Sequence, residues 1–175
     1  TGQTVVVEDR PGAGGIVGTN AAKNAAADGY TFLLSTNSTH SANQFLYKSL
    51  PYDAQKDFRQ VGMLGTFGTV GVVSPDSPYR TVPDLVDYAK KHPGQVFFGY
   101  YSSSSQVPSE LLKQRAGIEI TGAAYKNITQ IITDLRGKQI NFAFVDYLTA
   151  MGQIDGKGLV PIAVTGAQPQ AAWPS

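Results

Sequence analysis

The sequence predicts an α/β fold with a mainly parallel sheet. Short β-branched or aromatic runs alternate with segments of helical periodicity along the 175 residues, the pattern of strand–helix units. Several of the strand runs end in Gly-, Ser- or Asn-rich turns that open directly into a helix. A hydrophobic fraction of 42% with 15% charged residues is that of a globular chain with a real core.

In chain order, Thr4 to Glu8 (TVVVE) reads as the first strand. The turn RPGAGG leads into a small-residue helix from Ile16 to about Ala26, stopped by Asp28-Gly29. Tyr30 to Ser35 is a second strand, followed by the polar stretch TNSTHSAN and a short helix containing Phe45, Leu46 and Tyr47. Val61 to Ser74 is extended, with glycines at 62, 65, 68 and 71 that permit bends and close backbone approach. It reads as a crossing between two lobes or as an irregular strand within one. Thr81 and Asp84 form a capping-box pair ahead of Val82, Leu85, Val86 and Ala89 at helical spacing, and His92-Pro93-Gly94 ends that helix. VFFGY is a strand, the helix around Glu110 to Ala116 follows a serine run, and IEITGAAY is a strand. Asn127 or Thr129 starts a helix with Ile128, Ile131, Ile132 and Leu135 on one face, closed by Gly137. INFAFVD is a buried strand, Leu148 to Asp155 a helix and LVPIAVTG the last strand.

Composition narrows the function. Net charge is +1, from 14 basic and 13 acidic residues spread along the chain, so there is no clustered footprint for nucleic acid. The absence of cysteine removes disulfides, thiolate metal sites and a Cys nucleophile. No apolar run has the length of a membrane span. The chain begins without Met or a leader, and it is expected to be a processed or excised piece of something longer.

RPGAGGIVGT follows a strand and opens a helix, as phosphate loops do. It lacks the Gly-Lys-Ser/Thr of a P-loop, and Val17 stands where a dinucleotide fingerprint needs its third glycine. A tight turn that lets the helix pack closely is the favoured reading. Ser102, Ser103, Ser104 and Ser105 lie between a strand and a helix. Hydroxyls and free N–H groups at a helix start suit an anion; a solvated loop with one serine as N-cap is the equal alternative. Thr36, Asn37, Thr39 and His40 occupy the corresponding place after the second strand and offer uncharged donors to a carboxylate, although such clusters are usually turns. Asp146 is a ligand contact or, more readily, the N-cap of the next helix. Lys126 can pair with an anion or simply be solvated. The histidines, His40 and His92, are too few and too far apart for a metal site, and no nucleophile elbow is present. No cofactor or catalytic residue is assigned.

Taken in order, VEDRPGAGGIVGT, DGYTFLL, FLYKSLPYDAQKDFRQVGML, PDLVDYAKKHPGQVFFGY, AAYKNITQIITDLRGKQINFAFVD and GKGLVPIAVTGAQ resemble the Bug family, the TctC-like solute-binding proteins of tripartite tricarboxylate transporters. The resemblance implies a type II periplasmic-binding (Venus flytrap) fold of two lobes. Residues 1–66 would be part of an incomplete first lobe, 67–165 the second, and 166–175 the start of a return. It also implies a periplasmic, non-enzymatic receptor for a small carboxylate: a dicarboxylate, a tricarboxylate, an aromatic acid or an acidic amino acid. The receptor would hand its ligand to membrane transporter subunits, with hydroxyls, N–H groups and water holding the carboxylate at Thr36, Asn37, Thr39 and His40 and at Ser102–Ser105 and Asp146. Three departures from the family pattern stand out: no counterpart of its opening strand and loop, coverage of only the middle of a longer protein, and a serine run where Gly and His are usual. An unpaired first-lobe edge would then favour self-association. The rivals are an effector-binding domain of a transcription regulator and a nucleotide-dependent enzyme built on the Gly12–Gly18 turn.

Overall fold

The computed structural model describes residues 2–166, and they divide into two compact units meeting between Gly62 and Met63.

The first unit is built from short helical pieces. A 3₁₀ turn, Ala13–Gly15, runs into α1, Ile16–Lys23. A π-helical segment, Ser38–Ala42, runs directly into α2, Asn43–Leu46. The α1 helix stops three residues before the expected end because Asn24 donates its side-chain amide back to the Asn20 carbonyl at 2.9 Å, a local bond that competes with the helix. Gly15 sits at φ 87°, and a Cβ there would stand 2.6 Å from Thr39 Cγ2. The glycine turn therefore serves close helix packing. Asn43, 1% exposed, fixes the same contact by donating to the Gly14 carbonyl at 3.1 Å. Lys23 ties α1 to the 51–57 segment through Asp57 at 3.0 Å and the Pro51 carbonyl at 2.7 Å.

Two expected strands are not formed. Thr4–Glu8 and Tyr30–Ser35 carry no regular secondary structure, with Val5, Val6, Val7, Tyr30, Phe32 and Leu34 all exposed. Strand-type residues express that preference only against a paired, half-buried neighbour, and no described segment supplies the ladder.

The second unit is a five-stranded sheet covered on both faces. Its elements are β1 (Thr69–Val73), α3 (Val82–Lys91), β2 (Val96–Tyr100), α4 (Ser103–Ala116), β3 (Ile120–Ala124), α5 (Ile128–Arg136), β4 (Phe142–Asp146), α6 (Tyr147–Asp155) and β5 (Val160–Val164). The strand order is β3-β2-β4-β1-β5. β2 pairs in parallel with β3 and β4, whereas β1 runs against both β4 and β5. The sheet is thus mixed: a single strand is reversed, and it contributes both antiparallel ladders. β4 is buried on both faces, as a central strand must be. Ala143 and Val145 pack with Val70, Val72, Ile131, Leu135 and Ala150 on the α5–α6 side. Phe142 and Phe144 pack with Leu85, Ala89, Val96 and Phe98 on the other.

The caps follow the sequence. Thr81 accepts from the Asp84 N–H at 3.2 Å while Asp84 accepts from the Thr81 N–H at 3.1 Å. Asn127 caps α5 through the Gln130 N–H. The part of 166–175 expected to start a return lies, beyond Gly166, outside the described residues.

Candidate functional site

Within the first unit, Thr39 and His40 sit on the π-helical turn, with Asn37 as its N-cap and Thr36 just before it. Thr39 organises them. Its hydroxyl accepts the Thr36 N–H and donates to the Thr36 carbonyl, both at 3.2 Å, and lies 3.0 Å from His40 Nδ1. Its carbonyl accepts the Tyr52 phenol at 2.8 Å. Thr39 is buried, so its side chain shapes the turn, while Thr36 and Asn37 are exposed and His40 is half-buried. His40 packs in a ring cluster with Phe58 and Tyr52, centroids 5.0 Å and 6.5 Å away, and those two rings are 6.1 Å from each other. Burial lowers its pKa from the usual 6.5, favouring neutral imidazole. The turn presents hydroxyl, amide and imidazole groups without fixed charge.

Within the second unit, the serine run is the first turn of α4, with Ser102 as N-cap. The four hydroxyls have separate fates. Ser105 Oγ accepts the Tyr101 and Ser102 N–H groups at 3.1 Å and donates to the Ser102 carbonyl at 2.8 Å, so it is committed to the turn. Ser103 is also turned inward and buried. Ser102 and Ser104 remain half-exposed, their hydroxyls 2.9 Å apart. Those two hydroxyls lie at the N-terminal end of α4, just past the end of β2.

Asp146 closes β4 and caps α6. Its carboxylate accepts the Thr149 N–H and hydroxyl, each at 2.8 Å. The cap half of the sequence reading is therefore realised, and the half-buried carboxylate still lies at the carboxyl edge of the sheet beside the serine turn.

Sequence reasoning missed Tyr101, which lies between these groups. Its phenol is raised above its ordinary pKa by burial first, then by the charge of Asp146. A tyrosine one residue past a strand carries no local signal of that position. Lys126, at the end of β3, is exposed. Among the described residues no group of three His, Cys, Asp or Glu side chains is placed to hold a metal, and no helix is long and apolar enough to cross a membrane.

Comparison with known proteins gives consistent results. A model of the tripartite tricarboxylate transporter family receptor matches residues 1–175. BugT of Bordetella pertussis is 32% identical over 177 residues, covering 99% of this chain and 54% of BugT. A solved structure described as a periplasmic transporter has a TM-score of 0.91 at 32% identity, over 99% of this chain and 60% of that one. Rpa4515 of R. palustris, solved with adipate, has a TM-score of 0.90 at 28% identity, over 95% of this chain and 56% of that one. The chain spans about half the length of the curated relatives it matches.

Proposed function

This chain belongs to the tripartite tricarboxylate transporter receptor family, and from that premise we propose that it captures a small organic carboxylate in the periplasm for delivery to the membrane subunits of such a transporter. It acts as a binding protein and carries out no chemistry on its ligand. The observation that carries the reading is the carboxyl edge of the second unit's sheet. There the half-exposed Ser102 and Ser104 hydroxyls at the start of α4 offer oriented donors to one anion. Open α/β sheets place ligands at this edge. The adipate found with Rpa4515, a relative of similar fold, is an acid of the proposed class.

In the first unit we assign Thr36, Asn37 and His40 to ligand contact, with Thr39 holding their turn in shape. In the second unit the contacts are Ser102, Ser104 and Asp146, with Ser103 and Ser105 shaping the turn.

A thermal-shift screen of the purified protein against mono-, di- and tricarboxylates, aromatic acids, acidic amino acids and nucleotides tests this. A ligand at about 100 times its dissociation constant adds about 2.7 kcal/mol of stability, which is readily resolved. A shift confined to one class of acid supports the proposal. Shifts with nucleotides alone, or with no acid in the panel, refute it.

A further inference from the structure

The hydrogen bonds of the first unit's turn fix which nitrogen of His40 carries its proton. The Thr39 hydroxyl stands 3.2 Å from the Thr36 amide nitrogen, 3.2 Å from the Thr36 carbonyl and 3.0 Å from His40 Nδ1. A hydroxyl has one proton to donate and two lone pairs to accept with. The Thr36 N–H occupies one lone pair, and the hydroxyl proton goes to the Thr36 carbonyl. The third contact is then a bond only if His40 Nδ1 is protonated and donates to the second lone pair. The other tautomer would turn the Thr39 proton onto Nδ1. It would leave the Thr39 and Thr36 oxygens 3.2 Å apart with no proton between them.

With Nδ1 protonated, Nε2 of the neutral ring is a bare acceptor. It has no hydrogen-bond partner among the described residues, and it is not sealed from solvent. The ring is held in place by Phe58 and by Tyr52, whose phenol is committed to the Thr39 carbonyl. The charged groups of the neighbouring segments are paired with each other or exposed. Lys23 of α1 pairs with Asp57 at 3.0 Å and Lys56 with Asp53 at 3.6 Å, while Lys48 and Arg59 are exposed. Ser38–Ala42 carries no other titratable side chain. Burial, which lowers the pKa of His40, keeps the free ring neutral at pH 7.

A neutral Nε2 and a carboxylate are both acceptors, so their approach is unfavourable. One proton on Nε2 converts the contact into a charge-assisted bond, about twice as strong as a neutral one. That proton leaves the Nδ1 bond to Thr39 in place, and the turn keeps its shape in both states.

We propose that His40 couples carboxylate capture at this turn to the uptake of one proton, so that the receptor holds its ligand more tightly as pH falls. The inference rests on the carboxylate-receptor reading and adds the regulation of that site. A bound carboxylate raises the pKa of the ring, because an adjacent opposite charge favours the charged form. Affinity is therefore highest below the free-state pKa, falls as pH rises to the bound-state value and is flat above it.

Two measurements test this. The chain has two histidines, so a long-range proton–nitrogen correlation spectrum, with His92→Gln for assignment, reads the His40 tautomer directly. A proton on Nδ1 of the neutral ring is expected; a proton on Nε2 overturns the proposal, whether or not any variant folds. Calorimetric titrations then use succinate, adipate, citrate, benzoate and glutamate at pH 6 and pH 8, in buffers of different ionisation enthalpy that report proton uptake. His40→Gln, whose amide donates without titrating, meets the same acids and so subtracts their own ionisation. Circular dichroism verifies folding at both pH values. At least one acid should bind the unmodified protein about tenfold more tightly at pH 6 than at pH 8, with protons taken up. His40→Gln should lose that difference and His92→Gln keep it. Binding without proton uptake, or a pH dependence that survives in His40→Gln, overturns the role of His40 and leaves the receptor reading intact. If no acid binds the unmodified protein, the receptor reading itself falls and this inference falls with it.

Discussion

Replacing Gly15 with alanine tests how the glycine turn supports the first unit's candidate site. Two costs act at this position. Its φ of 87° is left-handed, a conformation that costs a residue with a Cβ about 1–2 kcal/mol. The new methyl would also stand 2.6 Å from Thr39 Cγ2, and overpacking of that kind costs about 1–3 kcal/mol. Gly29 separates the two costs: its φ is 85°, yet a Cβ there meets nothing within 4 Å. Gly29→Ala should therefore lose about 1–2 kcal/mol and Gly15→Ala about 2–5 kcal/mol. The excess has a definite address, because Thr39 carries the bonds to Thr36, His40 and Tyr52. Urea melts followed by far-UV circular dichroism give the two losses, and amide hydrogen exchange shows whether protection drops across 36–43 only in Gly15→Ala. Equal losses in the two variants would refute the packing argument and leave the turn with a purely conformational role.

Two further outcomes follow from the same contacts. Asp146→Ala should destabilise the second unit by about 1 kcal/mol, whereas Asp146→Asn stays within a few tenths, read as a difference in urea midpoint. His40 gives a pH dependence whose sign is fixed. Its folded pKa lies below the unfolded 6.5, so between the two values the unfolded chain holds more protons and stability falls as pH drops through that window. The contribution is full above pH 6.5. His40→Gln should flatten that slope between pH 7.5 and 5, measured by denaturation at each pH; an unchanged slope would place its origin elsewhere.

What was legible in the sequence was what is specified locally. Thr81 with Asp84, Asn127 with Gln130, and Ile131 with Leu135 lie within one or two turns of each other, and their bonds and packing formed as their spacing implied. The serine run was misjudged at its boundary. Serine is a poor interior helix residue but a good first-turn one, so a run read as loop became the start of α4. Thr4–Glu8 and Tyr30–Ser35 failed for the opposite reason: a strand is not a local object, and propensity without a ladder partner leaves a segment without regular structure. The reversal of β1 was equally hidden, because its partners lie far along the chain in Phe142–Asp146 and Val160–Val164.

The candidate site shows where that division falls. Ser102 and Asp146 could each be picked out as the residue that ends a strand and begins a helix, a place where a polar side chain serves as cap and as ligand contact with equal ease. Nothing within either segment says that β2 and β4 are neighbours; that comes from their parallel pairing, Phe98 with Phe142 and Gly99 with Ala143.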